Sequence, residues 1–293
     1  MRLAVTGAHG QVATSLMERG PVHGHEIVAV GRPAFDLAEP ETILPALAAV
    51  QPDVIVSAAA YTAVDKAEGE PAAAHTANAV GARHVAAAAR ELGVPLVHLS
   101  TDYVFAGDKD APYVESDPTG PIGVYGASKL AGELAVLEEH ADGSAILRTA
   151  WVYSPFGGNF LKTMLRLAGD RDQVNVVYDQ LGNPTSALDI ADGVLAVAER
   201  LAADAAGELR GVFHMTAEGE THWAGFAEAI FASSAVHGGP SARVHAIPTS
   251  EYPTPARRPA NSRLDCGKLA SVHGVRLPPW RESTEAVVAR LLA

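Results

Sequence analysis

Two residues four positions apart carry the first chemical possibility. In the stretch YGASKLAGE, Tyr125 and Lys129 are one helical turn apart, so both side chains leave the same helix face. A phenol of ordinary pKa, near ~10, exchanges protons poorly at neutral pH. A neighbouring ammonium and a positively charged nicotinamide would favour the phenolate and lower that value, which suits the phenol to proton transfer. The same spacing also arises where a ring packs and an amine merely solvates a helix face, so the pair needs company. It has some in HLSTDYVFAG, where Ser100 and Thr101 close an apolar run and stand at the carboxyl end of an expected strand. A ketone reduced by hydride develops negative charge on oxygen, and needs a proton donor and a second group that polarises the carbonyl. The small Gly126, Ala127 and Ser128 are expected to let cofactor and substrate approach this helix closely.

A hydride needs a source, and the N-terminus offers a place for one. VTGAHGQVA sets Gly7 and Gly10 directly after an apolar run and opens a helix near Gln11. Gly7 permits a tight turn, and Gly10 lets backbone amides approach a pyrophosphate at the positive end of the helix dipole. Ala13 stands at the third position of the dinucleotide fingerprint, small enough for close packing of helix on strand. After the second strand, VGRPAFDL presents Arg32, which can pair with a 2′-phosphate, and then Asp36, which can sit beside the adenine. Arg32 tilts the expectation towards NADPH, with NADH still possible. A solvated loop is the alternative for both residues.

These residues must be positioned by a scaffold, and the chain has the rhythm of one. Short apolar runs at Arg2–Thr6, Glu26–Val30, Asp53–Ser57, Pro95–Ser100 and Ala145–Arg148 read as strands. Helical stretches at Gln11–Arg19, Glu41–Val50, Pro71–Leu92 and Gly126–His140 separate them. That alternation predicts βαβ units and an α/β fold, a parallel sheet with helices on both faces. The second half carries more proline and glycine punctuation (SPFGGN, DQLGNPT, PTPARRPANSR), and there the helix Ala187–Leu201 and strand Gly211–Met215 are expected to rejoin the sheet. The expected division gives 1–151 and about 186–216 to a dinucleotide-binding domain, and about 152–185 and 217–293 to a smaller lobe. Ligands of open parallel sheets lie beyond the carboxyl ends of the strands, so the cleft between sheet and lobe is the expected site.

Composition narrows the partners. A length of 293 residues allows a sizeable core, and 48% hydrophobic with 19% charged residues is ordinary for a globular protein. The net charge of −12 disfavours nucleic-acid binding, which needs a basic footprint, but leaves room for a small anion held by a local basic cluster. A single cysteine, Cys266, allows no internal disulfide and fits a reducing compartment. No run of about 18 apolar residues is present and the N-terminus lacks a signal-like stretch, so a cytoplasmic protein without membrane partners is expected. The twelve histidines show no ligand spacing, and His23 and His25 in VHGHE read as a solvated turn.

Taken together, TGAHGQV, STDYVFAG and YGASK resemble the extended short-chain dehydrogenase/reductases. PDVIVSAAAYTAVDKAE, LRTAWVY, NFLKTMLRLA, DQLGNPT and YPTPARRPANSRLD extend the likeness nearly end to end, to the dTDP-4-dehydrorhamnose reductase family. That resemblance implies a Rossmann-type doubly wound sheet with a C-terminal substrate lobe, a nicotinamide cofactor and a dTDP-sugar substrate whose product serves polysaccharide synthesis. It implies cofactor contacts at Gly10, Gln11 and Val12, adenosine contacts at Asp36 and Leu37, and a nicotinamide-side lining of Ala60, Tyr61 and Thr62. Thr101 is implied to polarise the substrate, Tyr125 to donate the proton, and Lys129 to hold the ribose and lower the phenol pKa. Asp102, Trp151 and Arg257 are implied substrate contacts, with Arg257 and Arg258 supplying local positive charge. For Trp151 core packing is an equal alternative, and for the arginines a salt-bridged turn. Some relatives bind magnesium at a dimer interface through a glutamate; Ser15 occupies that position here, so no metal is expected, and the chain is expected to be a monomer or homodimer. Two other readings stay open: a reductase of another nucleotide-linked 4-keto-6-deoxy sugar, and an NADP-binding regulatory subunit without catalysis.

Overall fold

The computed structural model describes residues 1–204 and 206–293. The chain begins with β1 (Arg2–Thr6), α1 (Gln11–Val22), β2 (Glu26–Val30), α2 (Ile43–Val50) and β3 (Val54–Ser57). It continues through α3 (Gly81–Leu92), β4 (Leu96–Thr101), α4 (Val124–His140) and β5 (Ser144–Thr149). Beyond these lie α5 (Phe160–Asp170), β6 (Gln173–Val177), α6 (Ala187–Ala203), β7 (Gly211–His214), α7 (Trp223–Val236), β8 (Arg243–Ile247) and α8 (Trp280–Leu292). Six strands form one all-parallel sheet in the order β2-β1-β3-β4-β5-β7. Consecutive strands depart in opposite directions from β1, so the switch point lies between β1 and β3, where such sheets bind ligands.

The strand sequences explain the layering. Side chains alternate faces along a strand, and here both faces are apolar. Leu3, Val5, Val54, Val56, Val97 and Leu147 point to one side and pack against Leu16 of α1 and Ile190, Val194 and Leu195 of α6. Ala4, Ile55, Leu96 and Ile146 point to the other and meet Leu47 of α2, Val85 and Ala89 of α3 and Val136 of α4. The edge strand β2 is only partly buried. A third core, around Tyr153, Leu161, Val176, Phe226, Ile230 and Trp280, belongs to the lobe, where β6 and β8 pair in parallel. Among the described residues, no helix is long and apolar enough to cross a membrane.

Two expectations need correction. The single helix expected over Pro71–Leu92 is divided: a short helix Pro71–His75 passes through a π turn at Thr76–Val80 before α3 begins. Asn78 in that turn explains the extra residue. Its Oδ1 accepts from Tyr61 N at 2.7 Å, and its Nδ2 donates to Tyr61 O at 3.0 Å and to Ser128 Oγ at 2.9 Å. The turn also admits α4 closely, since a Cβ at Gly132 would lie 2.1 Å from the Asn78 carbonyl oxygen. His25 is the second correction. It is buried rather than solvated, with Nε2 bonded to Glu199 at 2.7 Å and Nδ1 beside the terminal amine. His23 does remain exposed, bonded to Asp192 at 3.0 Å.

Candidate active site

The turn after β1 is built for a close backbone approach. Gly7 has φ +91, and a Cβ there would lie 3.1–3.3 Å from Ala59 just beyond β3. Thr6 Oγ1 fastens the same junction by accepting from Ala58 N at 3.0 Å and Ala59 N at 2.9 Å. Gly10 caps α1 in an extended conformation without any side-chain bond, and the first turn holds no acid. The leading amides of α1, at Gln11 and Val12, are therefore offered to an anion. That fits a dinucleotide diphosphate.

The adenosine-side residues separate. The Arg32 side chain is 81% exposed and stands 3.9 Å from the Asp36 carboxylate, too loose a pair to hold it. Asp36 braces its own loop, accepting from Ala38 N at 3.0 Å. Leu37 turns inward, into the core against α2 and α3. Ala60 and Tyr61 are partly exposed beyond β3 and Thr62 is exposed; Tyr61 is pinned by Asn78 and donates its hydroxyl to Glu70 at 2.8 Å. For Arg32→Ala, we expect the Kd for NADPH to rise about tenfold with little change for NADH, since only the phosphate gains from a guanidinium. Titration of both nucleotides into native and variant protein checks this.

The acid–base residues do come together. Thr101 ends β4, buried, with its hydroxyl donating to Asp102 Oδ1 at 2.9 Å and accepting from Tyr103 N. Tyr125, half-buried in the first turn of α4, meets the Tyr103 ring edge-on at 5.8 Å. Burial pushes its phenol up to about 12; the hydrogen bond with Thr101 opposes this and the Asp102 carboxylate adds to it. Lys129 is buried and donates to the Leu99 carbonyl at 2.7 Å. Burial brings its ammonium down to about 8 against the pull of Glu133. In the free protein burial outweighs the lysine, whose ammonium donates to the strand; the expected lowering drew on the cofactor's positive charge as well. Burial raises the Asp102 carboxyl to about 6, with the nearby Ser262 hydroxyl and the hydrogen bond from Thr101 opposing.

The small residues between Tyr125 and Lys129 also serve packing, while Gly126 lines a small pocket at Tyr125. A Cβ at Gly126 would sit 2.1 Å from the Tyr103 carbonyl oxygen, so this glycine lets α4 pack on the STDY turn. Ser128 is buried on Asn78, and only Ala127 is exposed.

Trp151 follows β5 at φ +46, a left-handed conformation uncommon for a bulky residue and often found near functional sites, and packs against the lobe core. Its ring stacks on Trp223 at 3.6 Å. The arginines part ways. Arg257 is exposed and, with Glu68 and Tyr103, lines a small pocket at Tyr125. Arg258 grips Asp65 through two bonds of 3.1 and 2.8 Å, and lines a larger cavity. That cavity, of about 330 Å³, has walls that include Phe160, Met164, Gln180, Trp223 and Tyr252. Aromatic faces, an amide and a guanidinium together suit a nucleotide base and its phosphates.

Sequence reading missed the cavity, Asn78 and a buried ion pair beneath the site. Arg148 of β5 donates to both Glu133 oxygens, at 2.9 and 2.7 Å, while Ser100 donates to Oε1. Glu133 lies four residues beyond Lys129, so the helical spacing that joined Tyr125 to Lys129 could have found it.

Comparison with known proteins shows the family of the chain. The family described as RmlD substrate binding domain matches residues 1–293. The dTDP-4-dehydrorhamnose reductase of Sinorhizobium fredii is 53% identical, covering 100% of this chain and 98% of its own. That of Burkholderia thailandensis is 48% identical over 100% of both chains. The crystal structure of the Bacillus anthracis dTDP-4-dehydrorhamnose reductase in complex with NADP superposes with a TM-score of 0.91 at 34% identity, covering 99% of each chain. The chain belongs to the RmlD family of dTDP-4-dehydrorhamnose reductases.

Proposed function

We propose that the protein reduces the C4 ketone of dTDP-4-dehydrorhamnose with NADPH, giving dTDP-L-rhamnose. The observation that carries this reading is the convergence of Thr101, Tyr125 and Lys129 at the carboxyl end of β4, on the side where β1 presents the uncapped start of α1. When bound, the reduced nicotinamide supplies the hydride to C4. Residues 1–151 and about 186–216 hold the cofactor; about 152–185 and 217–293 hold the sugar nucleotide.

Within that arrangement Tyr125 transfers its hydroxyl proton to the carbonyl oxygen as negative charge develops there. Burial keeps the phenol protonated at neutral pH, the form that reduction consumes. Thr101 turns its hydroxyl from Asp102 to the substrate oxygen, sharing the charge with Tyr125. Lys129 holds the nicotinamide ribose near Tyr125. Arg257 approaches the diphosphate from the Tyr125 side, while the cavity of Phe160, Trp223 and Tyr252 receives the thymidine end.

An oxidation assay with dTDP-4-dehydrorhamnose, run separately with NADPH and NADH, tests the reading. Turnover is expected with NADPH, and the product should match dTDP-L-rhamnose by mass and by NMR. Absence of turnover with either nucleotide, under conditions where both bind, refutes it.

A further inference from the structure

The first turns of α1 and α5 are joined by three side chains. Gln11 opens α1, and its Oε1 accepts from Ser154 Oγ at 2.7 Å and from Asn159 Nδ2 at 2.9 Å. Asn159 is the N-cap of α5, its Oδ1 accepting from Lys162 N at 3.1 Å. That bond fixes the amide's orientation, and its Nδ2 also donates to the Ser154 carbonyl at 2.8 Å. Ser154 is fully buried and accepts from Phe156 N at 3.1 Å. The SPFGGN loop is therefore pinned at both ends to the residue that starts the glycine-loop helix.

The two helices lead to different ligands. The Gln11 amide is among the donors offered to the cofactor diphosphate, while α5 carries Phe160, Thr163, Met164 and Leu167 into the wall of the large cavity. We propose that Asn159 is a positioning residue that couples the two sites, so that NADPH and the dTDP moiety bind with positive cooperativity; this rests on the assignment of both sites made above. A ligand that immobilises Gln11 also immobilises Asn159 and the first turn of α5, so the second ligand meets a wall already ordered. The effect must be reciprocal, because each ligand changes the affinity of the other by the same factor.

The test is calorimetric titration of NADPH without and with saturating dTDP, and of dTDP without and with saturating NADPH. Native protein, Asn159→Ser and Gln11→Met are compared. Serine retains an N-cap acceptor and loses the amide that reaches Gln11; methionine keeps the length of glutamine and loses the acceptor. We expect each ligand to tighten the other about fivefold in native protein, the lower end of ordinary coupling. In both variants the factor should fall to about one, with the separate dTDP and NADPH affinities of Asn159→Ser within about twofold of native. A merely structural N-cap leaves the coupling intact in Asn159→Ser, and that result overturns the proposal, as does independent binding of the two ligands to native protein. Should Asn159→Ser fail to fold, Gln11→Met decides by the same factor. Failure of native protein to bind dTDP or NADPH at all is the separate outcome that removes the site assignment, and the coupling with it.

Discussion

Tyr125→Phe is expected to lower kcat about 10³-fold, within the range that a positioned general acid contributes. NADPH affinity and thermal stability should stay close to native. Phenylalanine retains the ring that meets Tyr103 edge-on at 5.8 Å, so packing survives while the only proton at that atom is gone. Steady-state rates and NADPH titration on the same preparation separate the two effects. A variant that turns over at the native rate would falsify the acid role of Tyr125. The sign of the pH dependence follows from burial. A phenol held up to about 12 stays protonated through neutral and mildly alkaline pH, so its own ionisation does not limit reduction there. The reverse oxidation needs the phenolate and should accelerate with rising pH over the same range.

How far the site could be read from the chain depended on how local each device is. Gly7, Gly10 and the start of α1 are contiguous, and Tyr125 and Lys129 share one helix, so spacing alone brought each set together. The relation of these two sets to Thr101 required only the alternation of strands and helices, which the sheet order bears out. The large cavity draws Phe160, Gln180, Trp223, and the pair Tyr252 and Arg258 from four separate segments, and no periodicity links them. Asn78 sits in a run of alanines that reads as uninterrupted helix; its bonds to Tyr61 and Ser128 exist only once the chain has folded. The upward pressure on the Tyr125 phenol in the free protein was hidden for a related reason. Lysine spacing is visible in sequence, but the desolvation that outweighs it is a property of the packed site. Gly126 shows the converse. Its smallness was legible, and the Tyr103 carbonyl that fills the space was not.

The second large effect is expected at Glu133, through stability and pH together. Its side chain is 2% exposed and that of Arg148 5%, so the two charges compensate each other in a nearly dry setting. Removing one charge from such a pair leaves the other buried without its counterion, and Glu133→Gln should cost about 3 kcal/mol in denaturant unfolding. Glu133→Gln combined with Arg148→Met should cost less than the sum of the two single changes, because neither charge is then stranded. A purely additive double variant would contradict this account of the pair. The pH effect follows from the neighbours of Lys129. Burial brings the ammonium down to about 8, and the Glu133 carboxylate is the charge that opposes the fall. On β4, His98 is held neutral by its own burial and by Lys129, so it offers no replacement; on β5, Arg148 carries positive charge. With glutamine at 133, Lys129 loses its counterion and faces Arg148 alone, so its pKa must drop further. The ammonium is then lost at lower pH, and the alkaline limb of kcat/KM for reduction should move from near pH 8 towards neutrality. An unmoved limb in a folded Glu133→Gln protein would show that the pair supports only the fold and has no hold on the lysine.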